Sequence, residues 1–328
     1  MNSKVAKIGP CVLLALLITL YPILAELSKR QAVYEYCTIT IPLLCEGLKL
    51  VVSVLLLINE FIQSQRLHPI TTLNDPGNVH SETLTCVRHS CHDFCRFLRN
   101  RPVNFHYGFL ALLYTVQNNL IYIAMIYLDP GTYQMFSNVK IACTGVLMWA
   151  ILKRKFTVAE ILGIVLLTVG PAISQCRGLH FERTDSLLGI LYVSVMVLIS
   201  SCAGVFNEKF LKDESYGTIH WQNCQLYGFG IIWNSINLKL FSNTCPGSFF
   251  HGYNIFVWIS LINLSFMGLS MGIILKYTDN IVRLIANVVA LLGASLFSIF
   301  YMNLEVQPFY IFGLVLSCLG IILYSYKY

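Results

Sequence analysis

The sequence predicts an all-α membrane protein: ten transmembrane helices, arranged as two inverted five-helix repeats, with both termini in the cytosol. Three observations predict this: the scarcity of charge, the number and length of the apolar runs, and the uneven placement of Lys and Arg. Of 328 residues, 56% are hydrophobic and only 12% charged, with a mean hydropathy of +0.66. Soluble domains carry about 25% charged residues, and a surface this apolar would aggregate in water. Lipid is therefore the expected solvent for most of the chain. The net charge of +6 is small and spread along the sequence, which argues against nucleic acid as a partner.

A hydrocarbon core about 30 Å thick needs about 20 helical residues. Ten runs meet that need, at about 8–26, 39–62, 105–128, 131–152, 157–175, 186–208, 219–241, 253–276, 280–302 and 307–325. The runs are continuous, whereas a transmembrane barrel would show alternating segments of about ten residues. Continuous spans must be helices, because lipid offers no partner to unpaired backbone groups. The first run has the length of a secretory signal. It lacks a small-residue cleavage site and contains Tyr21-Pro22 and Glu26, so it is expected to be retained.

With the N-terminus in the cytosol, about 14 Lys and Arg residues fall on the cytosolic side and about 5 on the other, as the positive-inside rule requires. Ten helices divide into halves at about 1–176 and 186–328 of a single domain, 1–328. An odd number of helices per half inverts the second relative to the first, which places a binding site near the midplane, between the repeats. The longest break, about 63–104, is a polar cytosolic loop. Its "CVRHSCHDFC" segment, Cys86 to Cys95, fits no zinc-binding frame. No metal is expected there, and its cysteines read as acylation sites or plain loop. Cys176 and Cys245 fall together on the opposite side and could pair.

With Lys239 and Lys276, at span ends, counted with the loops, three cations lie within predicted spans: Lys49, Lys140 and Arg283. Each costs about 2.5–3.5 kcal/mol to insert, so each demands a cavity or a partner. On the fourth run Tyr133, Ser137, Lys140 and Thr144 share one helical face. A phenol, a hydroxyl and a cation there suit a wet cavity that holds an anion with an aromatic or polyol part. Snorkelling is the competing reading, but Lys140 is too deep for it. On the third run Tyr114, Asn118 and Tyr122 share a face with Gln117 nearby; amides there serve either a site or helix–helix adhesion. The sixth run carries Ser200, Ser201 and Gly204, and the seventh Asn223, Tyr227 and Asn234, with Gly228 and Gly230 permitting close helix approach. Arg283 stands near the start of the ninth run, where it either snorkels or grips phosphate with a bidentate fork. Glu46 and Lys49 are spaced i, i+3 and read as a mutually neutralising structural or gating pair.

No nucleophile elbow, phosphate loop or intramembrane His cluster is present, so neither an enzyme nor a cofactor is expected. A carrier needs only a site that each side of the membrane reaches in turn.

The segments "CEGLKL", "YTVQNNLIYIAMIYLDPGTYQMFSNVKIACTGVL", "GVFNEKFLKDESYGTIHWQNCQLYGFGIIWN" and "KYTDNIVRLIAN" together resemble the nucleotide-sugar transporters of the CMP-sialic acid, UDP-galactose and UDP-N-acetylglucosamine branch of the drug/metabolite transporter superfamily. The resemblance covers nearly the whole chain. It implies the ten-helix inverted-repeat fold and exchange of a cytosolic UDP- or CMP-sugar for lumenal nucleoside monophosphate. The membrane implied is that of the Golgi or, alternatively, the ER. By resemblance, Tyr114 and Asn118 line the nucleotide pocket, Tyr133 meets base or ribose, and Lys140 meets phosphate. Ser200, Asn223 and Tyr227 are their counterparts in the second half, and Arg283 stands where relatives commonly carry a phosphate-binding lysine. Homo-oligomerisation or association with a glycosyltransferase is left open. So are two other readings: a same-fold structural or regulatory membrane protein, and a carrier of other phosphorylated metabolites.

Overall fold

A computed structural model describes residues 3–28, 36–37, 39–67, 103–128, 130–174, 185–241, 248–302 and 308–325. They form eleven α-helices: α1 (Ser3–Leu27), α2 (Thr40–Leu67), α3 (His106–Tyr127), α4 (Pro130–Ser137), α5 (Lys140–Leu152), α6 (Val158–Ser174), α7 (Asp185–Lys212), α8 (Ile219–Phe241), α9 (Ile255–Tyr277), α10 (Asn280–Met302) and α11 (Pro308–Ser325). A single 3-10 turn, Glu214–Tyr216, links α7 to α8. The described residues contain no strand. Among them, five helical stretches are long and apolar enough to cross a membrane: Thr40–Gln63, Thr132–Leu152, Leu187–Lys212, Ile255–Tyr277 and Pro308–Ser325. Their outward faces are apolar, with Leu55, Trp149, Leu198 and Phe312 all exposed. That pattern fits lipid as the surrounding medium.

Helix termini follow local chemistry. Thr157 and Glu160 form a capping box at α6: the Thr157 N–H donates to Glu160 Oε2 at 2.7 Å, and the Glu160 N–H donates to Thr157 Oγ1 at 3.3 Å. Asn254 caps α9 by accepting from the Val257 N–H at 3.0 Å, and Asp279 does the same for α10 from Val282 at 2.8 Å. α5 ends at Lys153, whose left-handed φ of 53° stops the helix.

The fourth apolar run, expected as one helix, is two. The hydrogen-bond ladder breaks at Asn138 and Val139, where the Val139 N–H reaches back to Phe136 O at 3.2 Å and the Ile141 N–H to Asn138 O at 3.1 Å. These i→i−3 bonds tighten the turn. Two consecutive residues, polar Asn138 and β-branched Val139, occupy the junction, so the break falls immediately before Lys140.

The strongest helix pair is α6 with α11, made by small residues. A Cβ on Gly313 would lie 2.5 Å from Gly170 O and 2.6 Å from Ser174 N, and one on Gly320 would lie 2.9 Å from Leu167 N. Two backbones this close leave no room for a side chain. Elsewhere α2 packs on α8, α1 on α9 and α10, and α7 on α3, α4 and α5.

Polar contacts tie the two ends of the bundle. At one end, Arg154 pairs with Asp279 at 2.6 Å and with Glu160 at 3.3 Å, and Tyr324 Oη donates to Asp279 at 3.4 Å. Lys212 pairs with Glu208 at 2.6 Å, and Lys276 Nζ donates to Leu211 O at 2.6 Å. At the other end, Thr40 and Tyr253 hydroxyls meet at 2.6 Å, and Asn254 Nδ2 donates to Ser28 O at 2.9 Å. Cys37, at this second end, is disulfide-bonded. The 86–95 segment, Cys176 and Cys245 lie outside the described residues, as do the side chains of Glu26 and Tyr122.

Candidate functional site

α7 forms the spine of the site. Ser200 and Ser201 are buried on it, and Ser201 Oγ donates to the backbone oxygen of Lys140 at 3.4 Å. One turn further along, Gly204 faces α10: a Cβ there would lie 3.0 Å from a terminal nitrogen of Arg283. The break between α4 and α5 and the bare Gly204 thus bring both cations to one helix. Lys140 is half-buried and feels the Arg283 charge, and Arg283 is 9% exposed and also feels the Glu208 carboxylate. Neither makes an ion pair among the described residues. Two like charges confined together in a bundle repel, and an anion between them removes the repulsion.

Tyr114 approaches from α3. Its hydroxyl accepts from Asn207 Nδ2 at 3.2 Å and lies within reach of the Arg283 charge. Tyr227 approaches from α8, buried at 4% exposure, and completes an aromatic side. Lys49 Nζ sits 4.5 Å above its ring centroid, a cation–π contact. Lys49 also pairs with Glu46 at 2.6 Å in the expected i, i+3 geometry. The pair is seated by glycines. A Cβ on Gly230 would lie 3.0 Å from Glu46 Oε2, and one on Gly268 would lie 2.9 Å from Lys49 Cδ. Gly228, expected to serve the same close approach, has open space beside it. Asn223 is buried and turned to α9, with Oδ1 3.5 Å from where a Cβ of Gly272 would be.

Lys140, Arg283 and Tyr114 therefore meet beside α7, Tyr227 and the Glu46–Lys49 pair adjoin the cluster of Tyr114 on α2, α3 and α8, and Ser200 is buried on α7. Asn223 borders them. Asn118 is half-buried on α3 and makes no hydrogen bond among the described residues. Tyr133 is half-buried against the cluster of Ala124, Leu128, Val193, Met196 and Val197, two turns before Lys140. Ser137 Oγ bonds back to Gln134 O at 2.9 Å, and Asn234 Nδ2 bonds its own helix at Gly230 O, 2.8 Å away. Both side chains bond the backbone of their own helix. Asn119, the last residue of "VQNN", forms a reciprocal amide pair with Asn237 across α3 and α8, at 3.2 and 3.3 Å.

Two residues at the heart of this region escaped the sequence reading as site members. Asn207 and Asn280 are buried beside Tyr114 and Gly204 respectively. Asn280 precedes Arg283 by one turn. That spacing was the available signal, hidden because Asn280 sits where a helix cap was equally expected.

A helical bundle with membrane-length apolar helices has the architecture of a multi-pass membrane protein. The profile of the nucleotide-sugar transporter family matches residues 96–325, and the chain belongs to that family. It is 30% identical over 325 residues to CMP-sialic acid transporter 1 of Oryza sativa subsp. japonica, covering 95% of this chain and 92% of the relative. It is likewise 30% identical over 327 residues to CMP-sialic acid transporter 1 of Arabidopsis thaliana, covering 95% and 88%. A probable UDP-sugar transporter protein of Xenopus tropicalis is 30% identical over 227 residues, covering 66% and 70%. A solved crystal structure aligns over 99% of this chain and 98% of its own with TM-score 0.64 at 12% identity, a likeness of fold alone.

Proposed function

We propose that the protein is an antiporter that exchanges a cytosolic UDP- or CMP-sugar for a nucleoside monophosphate across a Golgi or ER membrane. The observation that carries this reading is that Lys140 and Arg283, neither ion-paired among the described residues, both meet α7, with Tyr114 close to Arg283 and Tyr227 packed in the same cluster as Tyr114. Phosphate complements the cations and a nucleobase complements the rings.

On this reading α4 and α5 are one span, and ten spans form two inverted halves. The packing supports it. Numbering the spans in order, the most extensive contacts have counterparts five spans on: α1 with α9 mirrors α7 with α3, and α1 with α10 mirrors α7 with α4 and α5. The pairs α2–α8 and α6–α11 are their own mirror images. The Arg154–Asp279 end is then cytosolic and the Thr40–Tyr253 end lumenal. Alternating access opens one end while the other stays tied. Exchange follows because the empty carrier bears two unneutralised cations and reorients slowly, whereas the loaded one is neutral.

The test is counterflow. Purified protein goes into liposomes preloaded with CMP, UMP, GMP or AMP, and uptake of the matching labelled nucleotide is followed. Trans-stimulated uptake of CMP or UMP is expected. Folded, inserted protein that exchanges none of the four defeats the reading.

A further inference from the structure

The contact between α7 and the first turn of α10 leaves several buried polar atoms without a partner among the described residues. Asn207 Oδ1, both amide atoms of Asn280 and Nε of Arg283 are unpaired. Their residues are 6%, 0% and 9% exposed. They lie together. Gly204, Asn207 and Glu208 share one face of α7. Glu208 Oε2 accepts the backbone N–H of Asn280 at 2.8 Å. A Cβ on Gly204 would lie 2.4 Å from Asn280 Nδ2 and 3.0 Å from the Arg283 guanidinium. Across the gap, Asn207 spends its Nδ2 on Tyr114 at 3.2 Å and keeps its carbonyl free.

Buried polar groups in folded proteins are paired in more than about 90% of cases. Several unpaired ones on two facing helices are a standing cost, and a Leu at either Asn would remove part of it. The glycine that admits Asn280 makes the arrangement a built one. The chemistry of the orphans selects a ligand. Two are acceptors, the carbonyl oxygens of Asn207 and Asn280. Two are donors, Asn280 Nδ2 and Arg283 Nε. Phosphate oxygens accept only and would leave both carbonyls unpaired. Adjacent ring hydroxyls donate and accept together and satisfy all four.

We propose that Asn207 and Asn280, with Arg283 Nε, form a subsite that reads a vicinal diol on a sugar ring, deepening the carrier reading on which it rests. The ring is either the ribose of the nucleotide or the hexose attached to it. The subsite is shut in this conformation and is filled when the first turn of α10 moves off α7. Asn280 is thus a specificity-determining residue of the exchange, distinct from the cations that hold the phosphate.

The test compares wild type with Asn280→Leu, in full-length protein reconstituted in liposomes. Three probes of the preferred base are used: nucleoside monophosphate, its 2′,3′-dideoxy analogue, and the nucleotide sugar. If the subsite reads ribose, the variant raises KM about tenfold for the monophosphate and leaves the dideoxy analogue unchanged. If it reads the attached sugar, only the nucleotide sugar loses about tenfold. Unchanged KM for all three, with a raised Tm, overturns the proposal by showing a mere orphan amide. Equal loss for all three overturns it by showing a structural role. Thermal stabilisation of detergent-purified protein by the same probes needs no transport. Asn280-dependent stabilisation without exchange would keep the subsite and defeat the carrier reading, and no stabilisation with no exchange would defeat both.

Discussion

Lys140 sits at the first position of α5, directly after the ladder breaks, and its backbone oxygen takes a hydrogen bond from Ser201. Backbone anchoring holds the residue while its ammonium stays unpaired by any carboxylate among the described residues. Lys140→Ala is expected to abolish nucleotide counterflow while leaving Tm unchanged or raised, since a costly interior charge goes with the side chain. Exchange at the wild-type rate by correctly inserted protein would remove Lys140 from the site. Lys49 is a different kind of cation, satisfied by Glu46 and by the Tyr227 ring. Lys49→Met should therefore lower Tm by leaving Glu46 against Gly230 without its cation, an effect that circular dichroism melting would detect. Glu46→Gln in the same background should restore part of the loss, because the pair is coupled.

Among elements, the α6–α11 pair depends most strictly on residue size. Gly313→Val puts carbon atoms within 2.6 Å of two backbone atoms of α6, and overpacking of this kind costs about 1–3 kcal/mol or more. Melting should fall clearly, whereas Gly228→Ala, which meets open space, should be tolerated. A Gly313→Val protein with wild-type Tm would mean that the two helices slide freely past one another. The capping residues act on a smaller scale. Asn254→Ala removes both the Val257 cap and the bond to Ser28 O, and about 1 kcal/mol of stability is expected to go with the cap.

For the molecule as a whole, the informative contacts join chain segments far apart in sequence. Arg154 follows α5 and Asp279 precedes α10, yet they meet at 2.6 Å with Asp279 only 1% exposed. Asp279 also caps the helix that carries Arg283. The tie that closes this end thereby holds the first turn of α10 in place. Arg154→Gln takes the bridging cation from Asp279 and Glu160. It is expected to cost roughly 1–3 kcal/mol, less than a fully buried pair because Arg154 keeps 21% exposure. Amide hydrogen exchange over residues 279–284 should rise well above wild type, with α6 and α11 unchanged. Uniform exchange throughout the bundle would show that Arg154 supports general stability and not this one turn.

The apolar runs alone placed the helices to within a few residues, because a stretch of about 20 apolar residues has only one way to satisfy its backbone in lipid. Lys140 and Arg283 were legible as site candidates for the same reason: an interior charge is conspicuous against its neighbours. The i, i+3 spacing of Glu46 and Lys49 forecast their pairing, which is a local event on one helix. What only the tertiary structure decided depends on contacts between helices. Periodicity grouped Tyr133 with Lys140, and only the packing shows Tyr133 half-buried against the apolar cluster of Val193 and Met196. The break at Asn138–Val139 carries no Pro or Gly to announce it. Asn207 and Asn280 look like ordinary polar residues near helix ends until Gly204 brings α10 against α7. Local backbone chemistry is written in neighbouring residues, whereas the distance between two helices is set by residues dozens of positions apart. Composition and run length thus fix which segments are apolar helices and which charges stand among them, and the packing of α7, α8 and α10 sets which of those side chains come near one another.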